Sequence, residues 1–189
     1  MKTTRNQSQS GTKQKPKNDM QENDKNPALR ELFESQLQDI YWAEKALVKA
    51  IPKMVKKTTY AELADALQNH LSETEEQVKR LEDVFASIDA KVKAKRCESM
   101  VGLISEAEQL MKESEGGVVR DVAIILAAQK IEHYEISTYG TLSSLAKTLG
   151  FDDASDLLEE TLEEEKNADK TLNDIAISCV NEEAVESAE

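Results

Sequence analysis

The chain has 189 residues, a formal net charge of −13 and a pI near 4.7, a balance that argues against a nucleic-acid footprint or a basic membrane-binding face. The length suits one domain with tails. No apolar run is long enough to span a bilayer and no signal-peptide core follows the N-terminus, so a cytoplasmic protein is expected.

Six Gly and three Pro among abundant Ala, Leu, Glu and Lys predict an all-α protein. Two cysteines, Cys97 and Cys179, are too few for a disulfide framework or a zinc motif.

Residues 1–26 hold almost nothing apolar and read as a disordered polar tail, mildly basic with five Lys and one Arg against two Asp and one Glu. A first helix is predicted from Asn26-Pro27, a cap followed by proline at the first helical position. Its apolar stripe is Leu29, Leu32/Phe33, Gln36, Ile40, Ala43/Glu44, Leu47, Ile51 and Met54, with Pro52 predicting a kink or an early end. Thr58-Thr59-Tyr60 makes a short turn into a second helix over about 61–88. The seam there runs Leu63, Leu67, His70, Thr74, Gln77, Leu81, Val84 and Ile88, polar in the middle where it should be apolar.

A basic link (Lys91, Lys93, Lys95, Arg96) and a shorter amphipathic helix around 98–113 follow, ended by Gly116-Gly117. A third long helix over about 118–149 stops at Gly150. Its expected seam is Val118, Val122, Ile125, Gln129, Glu132, Ile136 and Tyr139, with Glu135 a turn along from Glu132. The fourth, about 154–178, carries Leu158, Thr161/Leu162, Glu165, Ala168/Asp169, Leu172, Ile175 and Cys179, with Asp152, Asp153 or Ser155 as its expected cap. Residues 179–189 read as an acidic tail.

Two short turns and one connection of roughly thirty residues predict two antiparallel hairpins joined by a long crossover that carries the extra short helix. This is the ferritin-like four-helix bundle, over 27–178. Folding each hairpin about its turn sets Glu44 level with Glu73/Thr74, His70 a turn away, and Glu135 beside Asp169.

Carboxylates on a buried stripe are costly unless a cation or partner neutralises them. Four helices doing this at matching heights point to a metal centre. Oxygen-rich donors with little nitrogen suit two divalent ions, iron or manganese. The candidate ligands are Glu44, His70, Glu73, Glu132, Glu135, Glu165 and Asp169. His70-x-x-Glu73 reverses the usual Glu-x-x-His order of dimetal bundles, and the fourth helix offers no histidine. His133 lies off the seam, Glu163-Glu164 read as a solvated acidic run, and Tyr41, Trp42, Tyr134 and Tyr139 read as packing or hydrogen-bonding residues. Cys97 reads as an inert buried thiol.

Several motifs together resemble the YciF-like bacterial stress proteins over about residues 28–176. They are Tyr41-Trp42-Ala43-Glu44-Lys45, His70-x-x-x-Thr74-x-x-Gln77, Cys97-Glu98-Ser99-Met100-x-Gly102, Gln129-x-x-Glu132-His133-Tyr134-Glu135-x-x-x-Tyr139 and Glu165-x-x-x-Asp169. The resemblance implies a ferritin-like fold related to rubrerythrins, a dimetal site, bacterial cytoplasm, a stress response and a homodimer. Two functions are then in view. One is a dimetal protein acting on a small oxidant, peroxide or O2. The other is a non-catalytic dimeric bundle whose polar seam (Gln77, Gln129, His70, Thr74 and the carboxylates) is a hydrogen-bonded network without metal.

Overall fold

The structure, a computed structural model, describes residues 26–186; the polar segment 1–25 and residues 187–189 lie outside the described residues. All regular structure among the described residues is helical: α1 (Pro27–Val55), α2 (Ala61–Ser87), α3 (Glu98–Glu113), α4 (Val118–Leu149), α5 (Asp152–Ile175), a widened π-type turn (Ala176–Val180) and α6 (Asn181–Glu186). The helices α1 and α2 form one hairpin and α4 and α5 the other, with α2 packed on α5. The crossover lays α3 along α4 and α1. The chain is therefore the ferritin-like four-helix bundle of two hairpins with a long crossover.

Local chemistry sets the boundaries. The Asn26 side chain accepts from the Leu29 N–H at 3.1 Å and Pro27 opens α1. The helix carries through Pro52, which has no N–H to give the Val48 carbonyl, and ends at Val55, about one turn later. Gly150, at φ 83°, closes α4 in the left-handed conformation.

The cap of α5 is Phe151 rather than an Asp or Ser, and it makes no side-chain cap bond. Its buried ring stacks on Phe33, 6.0 Å between centroids, so packing holds the turn where a polar cap was expected. Asp152 and Asp153 then fall in the first turn, where the helix dipole favours them. Ser155 instead faces Ser143 across the hairpin, donating to its carbonyl oxygen at 3.1 Å.

Every seam residue expected on α2 is buried. On α4 the buried face is turned from the expected seam. Ile125, Glu132 and Tyr139 are buried but Val118, Val122, Gln129 and Ile136 only half-buried, while Ile124, Ala128 and Ile131 are buried as well, α3 packing along this helix. At the far end Ile175 and Val180 are both buried although five residues apart. The widened turn between them re-phases the helix, so Val180 takes the core place that a regular helix would give Cys179. The chain continues as α6 to Glu186 within the stretch expected to be an acidic tail.

Two tethers missed in the sequence pin the layers. Asp121, fully buried at the start of α4, accepts from the Thr58 and Thr59 hydroxyls (2.5 Å each) and from the Thr59 and Tyr60 N–H groups (2.9 and 3.0 Å). The Lys95 N–H donates to the Gln38 carbonyl at 2.9 Å, fastening the crossover to α1.

Candidate metal centre

Midway along the bundle α1 contributes Glu44, α2 His70, α4 Glu132 and Glu135, and α5 Glu165, all five buried. Ligand atoms of His70, Glu132, Glu135 and Glu165 lie within 4.8 Å of one another. His70 Nε2 stands 3.4 Å from Glu132 Oε1. Glu44 adjoins the group through Glu135 and His70. The period of each helix accounts for the convergence: the acids and the histidine occupy stripe positions that elsewhere hold Leu, Ile or Ala.

Few donors serve these acids. The Tyr139 hydroxyl donates to Glu44 Oε1, and Gln77 Nε2 donates to Glu165 Oε1 at 2.6 Å. Glu44 Oε2, Glu132 Oε2, both oxygens of Glu135, Glu165 Oε2 and His70 Nδ1 are buried with no hydrogen-bond partner. Glu135 stands against Glu44, and Glu165 against Glu132, carboxyl facing carboxyl, so that either pair can share a bond only when one member carries a proton.

Electrostatics follow from that crowding. Burial pushes the Glu44 carboxyl up to about 7, against the pull of Tyr139 and His70. Burial, with Glu44 and other carboxylates nearby, pushes Glu132 up to about 8. Glu135 and Glu165 are driven well above the ordinary range by burial first and their acidic neighbours second. At His70 burial lowers the pKa, but Glu73, Glu165 and Glu44 outweigh it and raise it. Four buried carboxyls and an imidazole with so many unserved lone pairs make a group that could hold a metal ion.

The structure thus brings together five of the seven candidates and places two at the rim. Glu73 is half exposed, its Oε2 3.7 Å from His70 Nδ1. Asp169 accepts from Gln129 Nε2 at 3.2 Å and lies 3.4 Å from the exposed His133.

Two functional contacts went unread in the sequence. Glu164, expected in a solvated run, is half-buried. It accepts from Arg80 (2.6 and 2.8 Å) and from Gln77 (3.0 Å), supporting the amide that serves Glu165. The visible signal was Arg80, one turn from Gln77 on α2 and so able to reach the same neighbour. Cys97 caps α3, accepting from the Met100 N–H at 3.3 Å. Its sulfur is 3.1 Å from the Tyr134 hydroxyl, and burial pushes the thiol up, toward the unreactive form.

Comparison with known proteins agrees with this architecture. Residues 28–185 match the family described as Domain of unknown function (DUF892). Protein YciF of Escherichia coli (strain K12) is 45% identical over 161 residues, 85% of this chain and 97% of that protein. The crystal structure of the E. coli stress protein YciF superposes with a TM-score of 0.79 at 44% identity, covering 82% of this chain and 99% of that one. The YcfI protein of Rhodopseudomonas palustris gives 0.74 at 41% identity, covering 77% and 92%. A Xanthomonas campestris pv. campestris protein at 17% identity, covering 86% of this chain and 99% of its own, shares the fold with a TM-score of 0.65. No described helix is long and apolar enough to cross a membrane. By family match, identity and coverage, the chain belongs to the DUF892 family of YciF-like stress proteins.

Proposed function

We propose that the protein binds two divalent ions, iron or manganese, at Glu44, His70, Glu132, Glu135 and Glu165, and serves the bacterial stress response as a dimetal protein. The observation that carries this reading is the set of five orphaned buried carboxylate oxygens from three helices, with the His70 imidazole of a fourth helix beside them. Two such ions would supply redox or Lewis-acid chemistry toward a small oxidant, peroxide or O2. Glu135, with both oxygens unserved, would be free to hold them through either oxygen. Tyr139 and Gln77 each hold one oxygen of a ligand carboxylate and so fix its orientation. The family resemblance adds a cytoplasmic homodimer to this reading.

The second reading, a metal-free polar core, draws on the raised acidities. Carboxyls that keep their protons near neutral pH can hydrogen-bond one another. Elemental analysis of protein purified without chelator or nickel resin separates the two. The metal reading expects about two equivalents of iron or manganese, lost in Glu135→Gln. Protein that stays metal-free after anaerobic Fe(II) loading leaves the hydrogen-bonded core. Peroxide consumption by loaded protein then tests turnover.

A further inference from the structure

Among the described residues, one cavity reaches His70 and Glu132 of the buried cluster. This cavity of about 160 Å³ opens between α2 and α5, with buried His70 and Glu132 at its inner end, half-exposed Glu73 toward solvent, and Asn69, Asn167 and Ala168 among its walls. The larger groove beside Trp42 and the others along α1 touch none of the cluster residues.

His70 stands between cavity and cluster. Its Nε2 looks inward to Glu132, while Nδ1 is unpartnered on a side chain only 8% exposed. Glu73 Oε2, at 3.7 Å from Nδ1, is too far for a hydrogen bond. Two donors each about 2.1 Å from one divalent ion can stand that far apart.

We propose that this cavity is an outer cation site, held by His70 Nδ1 and the Glu73 carboxylate, through which divalent ions reach the buried cluster. The inference rests on the reading of that cluster as a metal centre. The imidazole suits a hand-over because either nitrogen has a carboxylate opposite it. An ion at Nδ1 leaves the ring proton on Nε2, facing Glu132; an ion at Nε2 leaves it on Nδ1, facing Glu73. Half-exposed Glu73 supplies charge at the mouth, which raises the local cation concentration and the rate of entry.

The test is stopped-flow uptake of Co(II) by the chelator-stripped full chain, with the ions retained after gel filtration counted by elemental analysis. The outer site, with only two protein donors, holds ions in passage and is emptied by gel filtration, so Glu73→Ala and the plug Ala168→Phe are expected to retain the wild-type number of cluster ions but load about tenfold more slowly. Ala46→Phe, in the Trp42 groove, is expected to load at the wild-type rate. Wild-type loading rates in Glu73→Ala and a folded Ala168→Phe overturn the port alone, as does loss of a retained ion in Glu73→Ala, which would make it an inner ligand. Should Ala168→Phe lose helical circular dichroism, the exposed Glu73→Ala decides by itself. Wild-type protein that takes up no Co(II) overturns the metal reading, and the port with it.

Discussion

The Tyr139 hydroxyl on α4 donates to Glu44 on α1, joining the two hairpins at the level of the acidic cluster. Both residues are fully buried. Tyr139→Phe leaves Glu44 with no donor on either oxygen, since Oε2 already has none. Removing one partner of a buried pair costs about 1–3 kcal/mol. A lower urea midpoint with unchanged helical circular dichroism is the expected result; an unchanged midpoint would mean that Glu44 finds another donor.

Glu135 is the least supported acid of the cluster, with neither oxygen accepting from a donor. Glu135→Gln puts a neutral amide of the same volume where a fourth ionisable carboxyl stood beside Glu44, Glu132 and Glu165. The metal-free variant at pH 8 is expected to be more stable than wild type by about 1 kcal/mol, and its iron or manganese content to fall. Calorimetry and elemental analysis read the two effects. A variant less stable than wild type without metal would contradict the repulsion described for the site.

The raised acidities fix a direction for pH dependence. Glu44 and Glu132, at about 7 and about 8 in the fold, sit above the ordinary carboxyl value of 4.5, so the folded state holds more protons than the unfolded chain between those limits. Stability of the metal-free protein is therefore fully present below about pH 4.5, as far as these groups go, and is lost as pH rises to about 8. His70, also raised, acts with the same sign above its ordinary 6.5. Thermal midpoints between pH 5 and 8 should fall for stripped protein and fall less with Mn(II), which replaces the protons. A midpoint rising over that range would refute the assignment.

Asp121 holds the α1–α2 turn against the first turn of α4 through four bonds. Asp121→Ala strands two backbone N–H groups and two hydroxyls near a buried position, and a loss of roughly 3 kcal/mol is expected. Asp121→Asn, which keeps one acceptor oxygen, should lose less. Urea unfolding of the pair would rank them, and equal losses would show that charge rather than acceptor number sets the cost.

The bundle was legible because α1, α2 and α5 each bury one stripe, and a single stripe survives in sequence as a period. His70, Thr74 and Gln77 stood out on α2 because their neighbours on that stripe are Leu and Val. The register of α4 was harder to read. Covered by α3 on one side and the bundle on the other, it is apolar over too wide an arc for its period to mark one seam. Glu73 shows the limit of phase alone. Three residues after His70 it lies about 60° round the helix, near enough to join the stripe in projection and far enough to reach solvent. Asp121 and Glu164 were invisible for a different reason: their partners lie about sixty and eighty residues away, Thr58 to Tyr60 for one and Gln77 and Arg80 for the other. No local pattern encodes such a pairing.

The widened turn at Ala176–Val180 makes the two ends of the last long helix unequal in their response to insertion and deletion. Deleting one residue inside that turn converts it to an ordinary helical turn and leaves a buried side chain four places after Ile175, still on the core face. The same deletion between Leu158 and Glu165 would swing Glu165 about 100° off its stripe and away from Gln77. Changes in chain length are thus absorbed after Ile175 and are disruptive before it, so drift in the length of this segment can leave the acidic cluster untouched.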